Sequence, residues 1–149
     1  MIIAVDFDGT IVEHAFPAIG KEIPFALDTL KALQKERHLL ILWTVREGEL
    51  LEEAVTFCRE RGLEFYAINR DYPEETKTMK GFSRKVKADL FIDDRNVGGL
   101  PDWGVIYKMI KEGISYEEAL HESGDSMNAY NNKKKKNIFL KIGEYLANR

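Results

Sequence analysis

Short apolar runs alternate along this chain with segments in which apolar residues recur at helical spacing. The runs are four to six residues long, a length typical of buried strands in a parallel sheet. The predicted strands are Ile2–Val5, His38–Trp43, Leu63–Ile68, Ala88–Ile92 and a fifth candidate, Gly104–Tyr107, that leads into a short helix. Alternation of strands and helices predicts an α/β fold.

Helical periodicity or a helix-start signal marks four segments. Apolar stripes predict helices over about 24–36, from Leu50 to a stop at Gly62, and over about 133–147. Ser115 and Glu118 form a capping box, which predicts a helix over about 115–122. The whole pattern favours a Rossmann-like three-layer sandwich with a mostly parallel central sheet.

The length of 149 residues suits one domain with a short appendage. We expect residues 1–122 to form that domain. Residues 123–132 are rich in Ser, Asn, Gly and Asp, which is typical of a linker. The segment 123–149 is therefore predicted to be a linker followed by a basic helix, and not a second domain.

Carboxylates follow two of the predicted strands. Asp6 and Asp8 come directly after the first strand, and Asp93 and Asp94 come directly after the fourth. Ligands of parallel sheets bind at the carboxyl ends of the strands, where Thr44 also ends the second strand. Carboxylates crowded at one edge repel each other, and a cation that prefers oxygen ligands, such as Mg²⁺, relieves this repulsion.

The composition narrows the class of protein. Hydrophobic residues make up 44% and charged residues 32%, an ordinary globular mixture. The single Cys58 excludes an internal disulfide framework, and no Cys/His cluster predicts a zinc site. The apolar runs are too short to cross a membrane, and the N-terminal segment lacks the features of a secretion signal. We therefore expect a cytoplasmic protein without membrane contact.

The net charge of −3 is unevenly distributed. Residues 128–149 carry six Lys or Arg and one Glu, so the rest of the chain is acidic. An acidic body binds polyanions poorly, because phosphates are held mainly by Lys and Arg. The Lys133–Lys136 run permits a contact with nucleic acid, but a solvated tail is favoured because no aromatic or arginine residues are interleaved.

Four short segments together resemble the motifs of the haloacid dehalogenase superfamily of phosphohydrolases. Asp6-Phe7-Asp8-Gly9-Thr10 is similar to the first motif, Thr44 to the second, Lys85 to the third and Asp93-Asp94 to the fourth. The resemblance covers about residues 1–110. The stretches Trp43–Leu51 and Ile92–Arg95 are most similar to small bacterial and phage members that have no cap domain.

The resemblance implies a mechanism residue by residue. Asp6 would be the nucleophile that forms an aspartyl-phosphate. Asp8 would protonate the leaving oxygen and later accept a proton from water, which requires a proton on Asp8 near neutral pH. Mg²⁺ would be held by Asp6, the backbone carbonyl of Asp8, Asp93 and Asp94, and the phosphoryl group by Gly9, Thr44 and Lys85. Whether Asp93 or Asp94 is the direct ligand is open, and Lys87 competes with Lys85.

Segments 11–23 and 69–84 are too short to hold a cap domain, so an open site is expected. An open site implies a large substrate or closure by a neighbouring subunit, in which case the protein is a homo-oligomer. The substrate is either a phosphorylated small molecule or the phosphorylated end of a macromolecule.

Two alternative functions are weighed against a small-molecule phosphatase. The first is a phosphatase that processes nucleic-acid ends and docks them through the basic tail. The second is a receiver-like phospho-accepting module. The receiver is disfavoured because its acceptor Asp ends the third strand, where this chain has Asn69.

Three further polar residues have open roles. Arg46 either binds substrate or pairs with a carboxylate, and the pairing is favoured. Asn69 follows the third strand and either borders the site or shapes a turn. His14 lies in a flap-like loop after the first motif, and a solvated position is favoured over a contact in the site.

Overall fold

A computed structural model describes residues 1–80, 82 and 85–121 of the chain. The strands are β1 (Ile2–Val5), β2 (Leu39–Leu42), β3 (Ala67–Ile68) and β4 (Leu90–Ile92). The helices are α1 (Ala26–Lys35), α2 (Gly48–Glu60) and α3 (Trp103–Glu112). Within these residues the four strands form one sheet in the order β3-β2-β1-β4, and every pair is parallel. The predicted Rossmann-like α/β sandwich is therefore confirmed.

The strand order defines where a ligand site belongs. The chain steps outward from β1 to β2 to β3 and then returns to β4, on the other side of β1. Because crossovers between parallel strands are right-handed, α1 and α2 are expected on one face of the sheet, and the described residues between β3 and β4 on the other. Val86 accordingly packs on the second face against Ala4 and Ile41. The strand order reverses between β1 and β4, and the carboxyl ends at such a reversal form a crevice.

The register aligns the ends of β1 and β4. Val5 is paired with Ile92, and the backbone N–H of Asp6 donates to the Ile92 carbonyl at 3.0 Å. Asp6 and Asp93 therefore leave the sheet side by side. On the other side of β1, Val5 is also paired with Leu42, which brings the end of β2 to the same edge.

The predicted end of α2 at Gly62 is confirmed. Gly62 has a φ of 78°, and its N–H donates to the Arg59 carbonyl at 2.9 Å. The N–H of Leu63 donates to the Cys58 carbonyl at 3.0 Å. These two bonds form a Schellman motif, which satisfies carbonyls that the last turn leaves without helical partners.

Two strand predictions are wrong in extent or type. The predicted strand Leu63–Ile68 shrinks to Ala67–Ile68, because the N–H of Leu63 is used in the turn after α2, although its side chain is buried as a strand residue would be. The fifth candidate strand, Gly104–Tyr107, lies inside α3. Asp102 starts this helix, since its Oδ1 accepts the N–H of Gly104 at 2.8 Å.

The chain forms two compact units, of which the first is Met1–Gly104 and the second begins at Val105. In the second unit, the predicted capping box is confirmed, because Ser115 N donates to Glu118 Oε2 at 2.7 Å and Glu118 N to Ser115 Oγ at 3.2 Å. A helical segment follows over 116–121. The predicted linker, basic helix and Lys133–Lys136 run lie outside the described residues. Of the helices that the structure describes, none has the length and apolar character needed to cross a bilayer.

Candidate functional site

Carboxylates from β1 and β4 converge at the crevice where the strand order reverses. One carboxylate oxygen from each of Asp6, Asp93 and Asp94 lies within 4.8 Å of the others. A cavity of about 150 Å³ opens beside them and is also lined by Asp8 and Thr44. We call this cavity the acidic cavity. The predicted convergence of the first and fourth motifs is thus present in the structure.

Asp6 lies in an environment that disfavours its charged form. Burial raises the pKa of Asp6 to about 6, and the charges of Asp93, Asp94 and Asp8 push it in the same direction. The N–H of Phe7 opposes these effects by hydrogen bonding. A cation placed among these carboxylates would reverse the effect, because a nearby positive charge favours the ionised acid.

Asp94 carries an oxygen that lacks a protein partner. Asp94 Oδ1 is buried and accepts no hydrogen bond from the described part of the chain. Its other oxygen, Oδ2, lies 2.8 Å from His14 Nε2, and its N–H donates to Thr10 Oγ1 at 3.1 Å. A buried carboxylate oxygen without a hydrogen bond is costly and suits a metal ligand. The residues present therefore fit a small divalent cation with oxygen ligands, such as Mg²⁺.

Asp8 lies in a different environment from Asp6. Both of its oxygens accept hydrogen bonds from Arg46, Oδ2 from Nε and Oδ1 from Nη2, each at 2.7 Å. The Arg46 side chain is fully buried and that of Asp8 is 8% exposed. This two-pronged geometry is the strongest type of carboxylate contact. It confirms the favoured interpretation of Arg46 as the partner of a carboxylate.

The pair of Asp8 and Arg46 bears on the proton transfer expected of Asp8. A proton on either oxygen of Asp8 would take the place of a guanidinium hydrogen bond, so proton transfer at Asp8 requires one of these bonds to open. The carboxylate of Asp8 is also not a member of the three-carboxylate cluster.

Arg46 ties Asp8 to the loop that follows the first motif. Residues 13–21 form a flap whose base is closed by a bridge between Val12 and Glu22 and a hydrogen bond from Glu13 N to Lys21 O. Arg46 donates from Nη1 to the Pro17 carbonyl at 3.0 Å and from Nη2 to the Ala18 carbonyl at 2.8 Å. The flap and Asp8 are therefore held by the same buried guanidinium.

Gly9 allows the flap and β4 to approach the first motif closely. Its φ is 88°, and a Cβ at this position would collide with His14 Nε2 and Asp94 Oδ2. The N–H of Gly9 donates to the Val12 carbonyl at 2.6 Å. The expectation that this N–H faces a phosphate is therefore corrected, since it is used inside the loop.

Thr44 lies at the acidic cavity, as predicted, and is positioned from the end of β3. Asn69 Oδ1 accepts the N–H of Thr44 at 2.8 Å, and Thr44 Oγ1 accepts the N–H of Arg46 at 3.3 Å. Asn69 adopts a left-handed φ of 51°, which asparagine tolerates better than most residues. Both open roles of Asn69, the turn and the site border, are thus combined in one residue.

The two candidate lysines of the third motif have different surroundings. Lys87 is tied to Asp71, with its N–H 2.7 Å from Oδ1 and its Nζ 3.4 Å from Oδ2. Lys85 Nζ lies 5.1 Å from the centre of the Phe91 ring. Phe91 lies in β4 and Asp93 directly follows this strand. Residues two positions apart in extended chain point to the same side of the sheet. Neither lysine lines the acidic cavity, so the choice of Lys85 over Lys87 stays a prediction.

The sequence interpretation missed two residues of the site. His14 was expected to be solvated, but it contacts Asp94 while keeping half of its side chain exposed. No role was expected for Thr10 beyond its place in the first motif, yet it is fully buried and its Oγ1 accepts a hydrogen bond from the N–H of Asp94. The signal for Thr10 was its place directly after Asp8-Gly9, where a hydroxyl can reach the neighbouring strand end.

The chain is similar in sequence and fold to a protein of known structure. Neither the protein-family models nor the curated proteins contain a match to this chain. Among solved structures, one described as the "Structure of the conserved protein coded by locus from Bacteroides thetaiotaomicron" is 72% identical, with a TM-score of 0.74. The match covers 78% of this chain and 94% of that chain. At this identity and coverage, the chain belongs to the same family as the conserved Bacteroides protein.

Proposed function

We propose that this protein is a Mg²⁺-dependent phosphomonoester hydrolase that acts through an aspartyl-phosphate on Asp6. The resemblance to the haloacid dehalogenase superfamily suggested this chemistry. The observation that carries the proposal is the cluster of Asp6, Asp93 and Asp94, whose oxygens lie within 4.8 Å of one another at the end of a parallel sheet. A cluster of this kind is suited to one hard cation and the phosphate that the cation attracts.

The three carboxylates would hold Mg²⁺, together with the backbone carbonyl of Asp8 that the resemblance implies. When bound, the ion supplies positive charge for the phosphoryl oxygens. Asp94 is the ligand that the structure favours most directly, because its Oδ1 has no hydrogen-bond partner in the described chain. Thr10 and His14 would hold Asp94 in place through its N–H and Oδ2.

Asp6 would attack phosphorus with one carboxylate oxygen. The bond from that oxygen to phosphorus forms as the bond from phosphorus to the ester oxygen breaks, and the alcohol leaves with the electron pair and a proton. Water then attacks the aspartyl-phosphate, releasing inorganic phosphate and restoring the carboxylate. Attack requires ionised Asp6, and a pKa of about 6 leaves most of this group ionised at pH 7.5.

Asp8 would move the protons in this cycle. It would give a proton to the leaving alcohol in the first half-reaction and accept one from the attacking water in the second. Both oxygens of Asp8 bond to Arg46, so at least one of these hydrogen bonds must open whenever Asp8 carries the proton. Since Arg46 also holds the flap, movement of the flap would accompany this change.

Thr44 and Lys85 would bind the phosphoryl oxygens. Thr44 already lines the acidic cavity. Lys85 Nζ lies over the ring of Phe91, two residues before Asp93, and the side chain would have to turn toward Asp93 to reach the phosphoryl group. Positive charge at this point would offset the charge that develops on the transferred phosphoryl group.

Release of phosphate from para-nitrophenyl phosphate, with and without Mg²⁺, tests the proposal. We expect hydrolysis that depends on Mg²⁺ and falls at least about a thousandfold in Asp6→Asn, because the nucleophile is lost. Asp28→Asn is the matched control, since Asp28 lies on α1, away from the acidic cavity, and pairs with Lys31 at the surface. Asp8→Asn should accumulate phosphate on Asp6, detectable by mass spectrometry of the intact chain. Wild-type turnover in Asp6→Asn would overturn the proposal.

A further inference from the structure

A second and larger cavity is lined by the residues that directly follow Thr44 and Val45. It has a volume of about 470 Å³. Leu51, Ile68 and Phe82 supply an apolar surface, and the rim is polar. We call this cavity the side cavity. No step of the proposed hydrolysis uses it.

The side cavity and the acidic cavity share one wall. Thr44 lines the acidic cavity, while Arg46 and Glu47, two and three residues later, line the side cavity. Asn69 also lines the side cavity and holds the N–H of Thr44 at 2.8 Å. Residues 44–47 are therefore a stretch of chain that contributes to both cavities.

The volumes of the two cavities indicate which part of a substrate each could hold. Pockets that enclose a small-molecule ligand have volumes of roughly 300–1,000 Å³. The acidic cavity, at about 150 Å³, is too small for a whole organic phosphate and suits only the phosphoryl group with its ion. The side cavity, at about 470 Å³, falls within the range for an organic group.

The rim of the side cavity is preformed. Arg70 donates from Nε to the Ile68 carbonyl and from Nη1 to the Pro73 carbonyl, each at 3.2 Å. Glu75 is buried, and its Oε2 accepts the N–H of Asp71 at 2.6 Å. Side chains held in this way lose little freedom when a ligand binds.

The charges of the lining exclude several kinds of organic group. Arg46 is already paired with Asp8, and Arg70 and Lys77 are opposed by Glu47 and Glu75, so neither a strongly anionic nor a strongly cationic group is favoured. A short aliphatic alcohol would leave the apolar surface of Leu51 uncovered. A neutral group with a flat apolar ring, polar ring edges and hydroxyls matches both the apolar surface and the polar rim.

We propose that the side cavity is the leaving-group subsite and that it accepts the nucleoside of a nucleoside monophosphate. This inference rests on the proposed function. The base would lie on Leu51 and Ile68, and the sugar would cross the wall at Thr44 toward the acidic cavity. Discrimination among phosphomonoesters would then arise in the side cavity, since the acidic cavity contacts only the group common to all of them.

Filling the side cavity tests the inference. Leu51→Phe adds bulk from α2, and Leu39→Phe is the matched control at the amino end of β2, where the side chain is 41% exposed. We expect kcat/KM for adenosine 5′-monophosphate to fall about tenfold or more in Leu51→Phe, with kcat/KM for methyl phosphate unchanged. Thr76→Phe, at an exposed position of the rim, provides a second filling variant if Leu51→Phe fails to fold.

A binding measurement separates failure of this inference from failure of the proposed function. Adenosine 5′-monophosphate is titrated calorimetrically, with Mg²⁺, into Asp6→Asn and into Asp6→Asn/Leu51→Phe. At least tenfold weaker binding in the double variant supports the subsite even if wild-type protein hydrolyses neither ester, which would overturn only the proposed function. Equal binding in the two proteins, or no binding to either, overturns the subsite even if methyl phosphate is hydrolysed. Equal loss of kcat/KM for both esters in Leu51→Phe would overturn it too.

Discussion

Asp6 and Asp8 follow the same strand, two residues apart, and lie in opposite electrostatic environments. The charged groups that shift the pKa of Asp6 are all carboxylates, and burial adds to their effect. Asp8 is more deeply buried, yet both of its oxygens are paired with the buried guanidinium of Arg46. The protein supplies the cation for Asp8. For Asp6 it supplies further negative charge, so the balancing cation is expected to come from solution.

Under the proposed function, this difference separates a carboxylate that holds the fold from one that reacts. The charge of Asp8 is used to hold Arg46, and through it the flap. The charge of Asp6 is not used in this way, which leaves its oxygens available for an ion and a phosphoryl group. Perturbed carboxylates of the second kind are a recurrent property of active sites.

Removal of Arg46 should have the largest effect on stability. Arg46→Met leaves the buried Asp8 carboxylate without its partner, and loss of one member of a buried ion pair costs about 3–5 kcal/mol. The free energy of unfolding, measured by urea denaturation at pH 7, is expected to fall by this amount. Arg61→Met is the control, because Arg61 pairs with Glu22 at the surface and such pairs contribute about 1 kcal/mol or less.

The double variant Arg46→Met/Asp8→Leu tests whether the unpaired charge of Asp8 causes the loss of stability in Arg46→Met. It replaces both charges by apolar groups, so we expect it to recover most of the stability lost in Arg46→Met. If the single and double variants were equally unstable, the loss would come from the flap contacts and not from the unpaired charge of Asp8.

Asp6 should respond to pH in the metal-free protein. Its pKa is about 6 in the folded chain and 3.8 without the burial and the neighbouring charges. Below pH 3.8 Asp6 is protonated in both the folded and the unfolded chain. Between pH 3.8 and 6 the folded chain holds the proton more tightly than the unfolded chain, so raising the pH through this range lowers the free energy of unfolding. We therefore expect Asp6→Asn to be more stable than wild type by about 1–2 kcal/mol at pH 7.5, allowing for partial exposure.

The pH dependence of urea denaturation checks this expectation. The stability difference between Asp6→Asn and wild type should shrink as pH falls from 7 toward 4, and Mg²⁺ at pH 7.5 should stabilise wild type more than the variant. A difference that stayed constant between pH 4 and pH 7.5 would show that Asp6 titrates in the folded chain as it does in the unfolded one.

His14 should have the smallest effect. It contacts Asp94 Oδ2 at 2.8 Å, but half of its side chain is exposed. We expect His14→Ala to weaken Mg²⁺ binding by no more than about tenfold, the lower limit for residues that orient a metal ligand. His38→Ala is the control, since His38 contacts the N-terminus at the opposite end of the sheet. A loss of more than a hundredfold in His14→Ala would make His14 a ligand.

The sequence predicted the parts of the site that depend on strand ends. Apolar runs locate strands, and parallel strands bring their carboxyl ends together, so Asp6, Asp93 and Thr44 could be placed in advance. The pairing of Asp8 with Arg46 could only be weighed against other roles, because it joins residues 38 positions apart. The contact of His14 with Asp94, 80 positions apart, depends on how the flap folds back.

Loops and short apolar runs account for the other differences. The side cavity depends on residues 69–77, whose shape is set by hydrogen bonds of Arg70 and Glu75 and not by any periodic pattern. The run Gly104–Tyr107 is apolar enough for a strand, but Asp102 caps a helix there. A short apolar run does not by itself distinguish a buried strand from a buried helix.

Calorimetric titration of Mg²⁺ into the metal-free chain tests most directly whether Asp6 and its neighbours require a cation from solution. Asp93→Asn is measured beside wild type, because Asp93 belongs to the cluster but is neither the proposed nucleophile nor a partner of Arg46. We predict one ion bound per wild-type chain and at least about tenfold weaker binding in Asp93→Asn. Equal affinity in the two proteins, or no binding to wild type at millimolar Mg²⁺, would contradict the account.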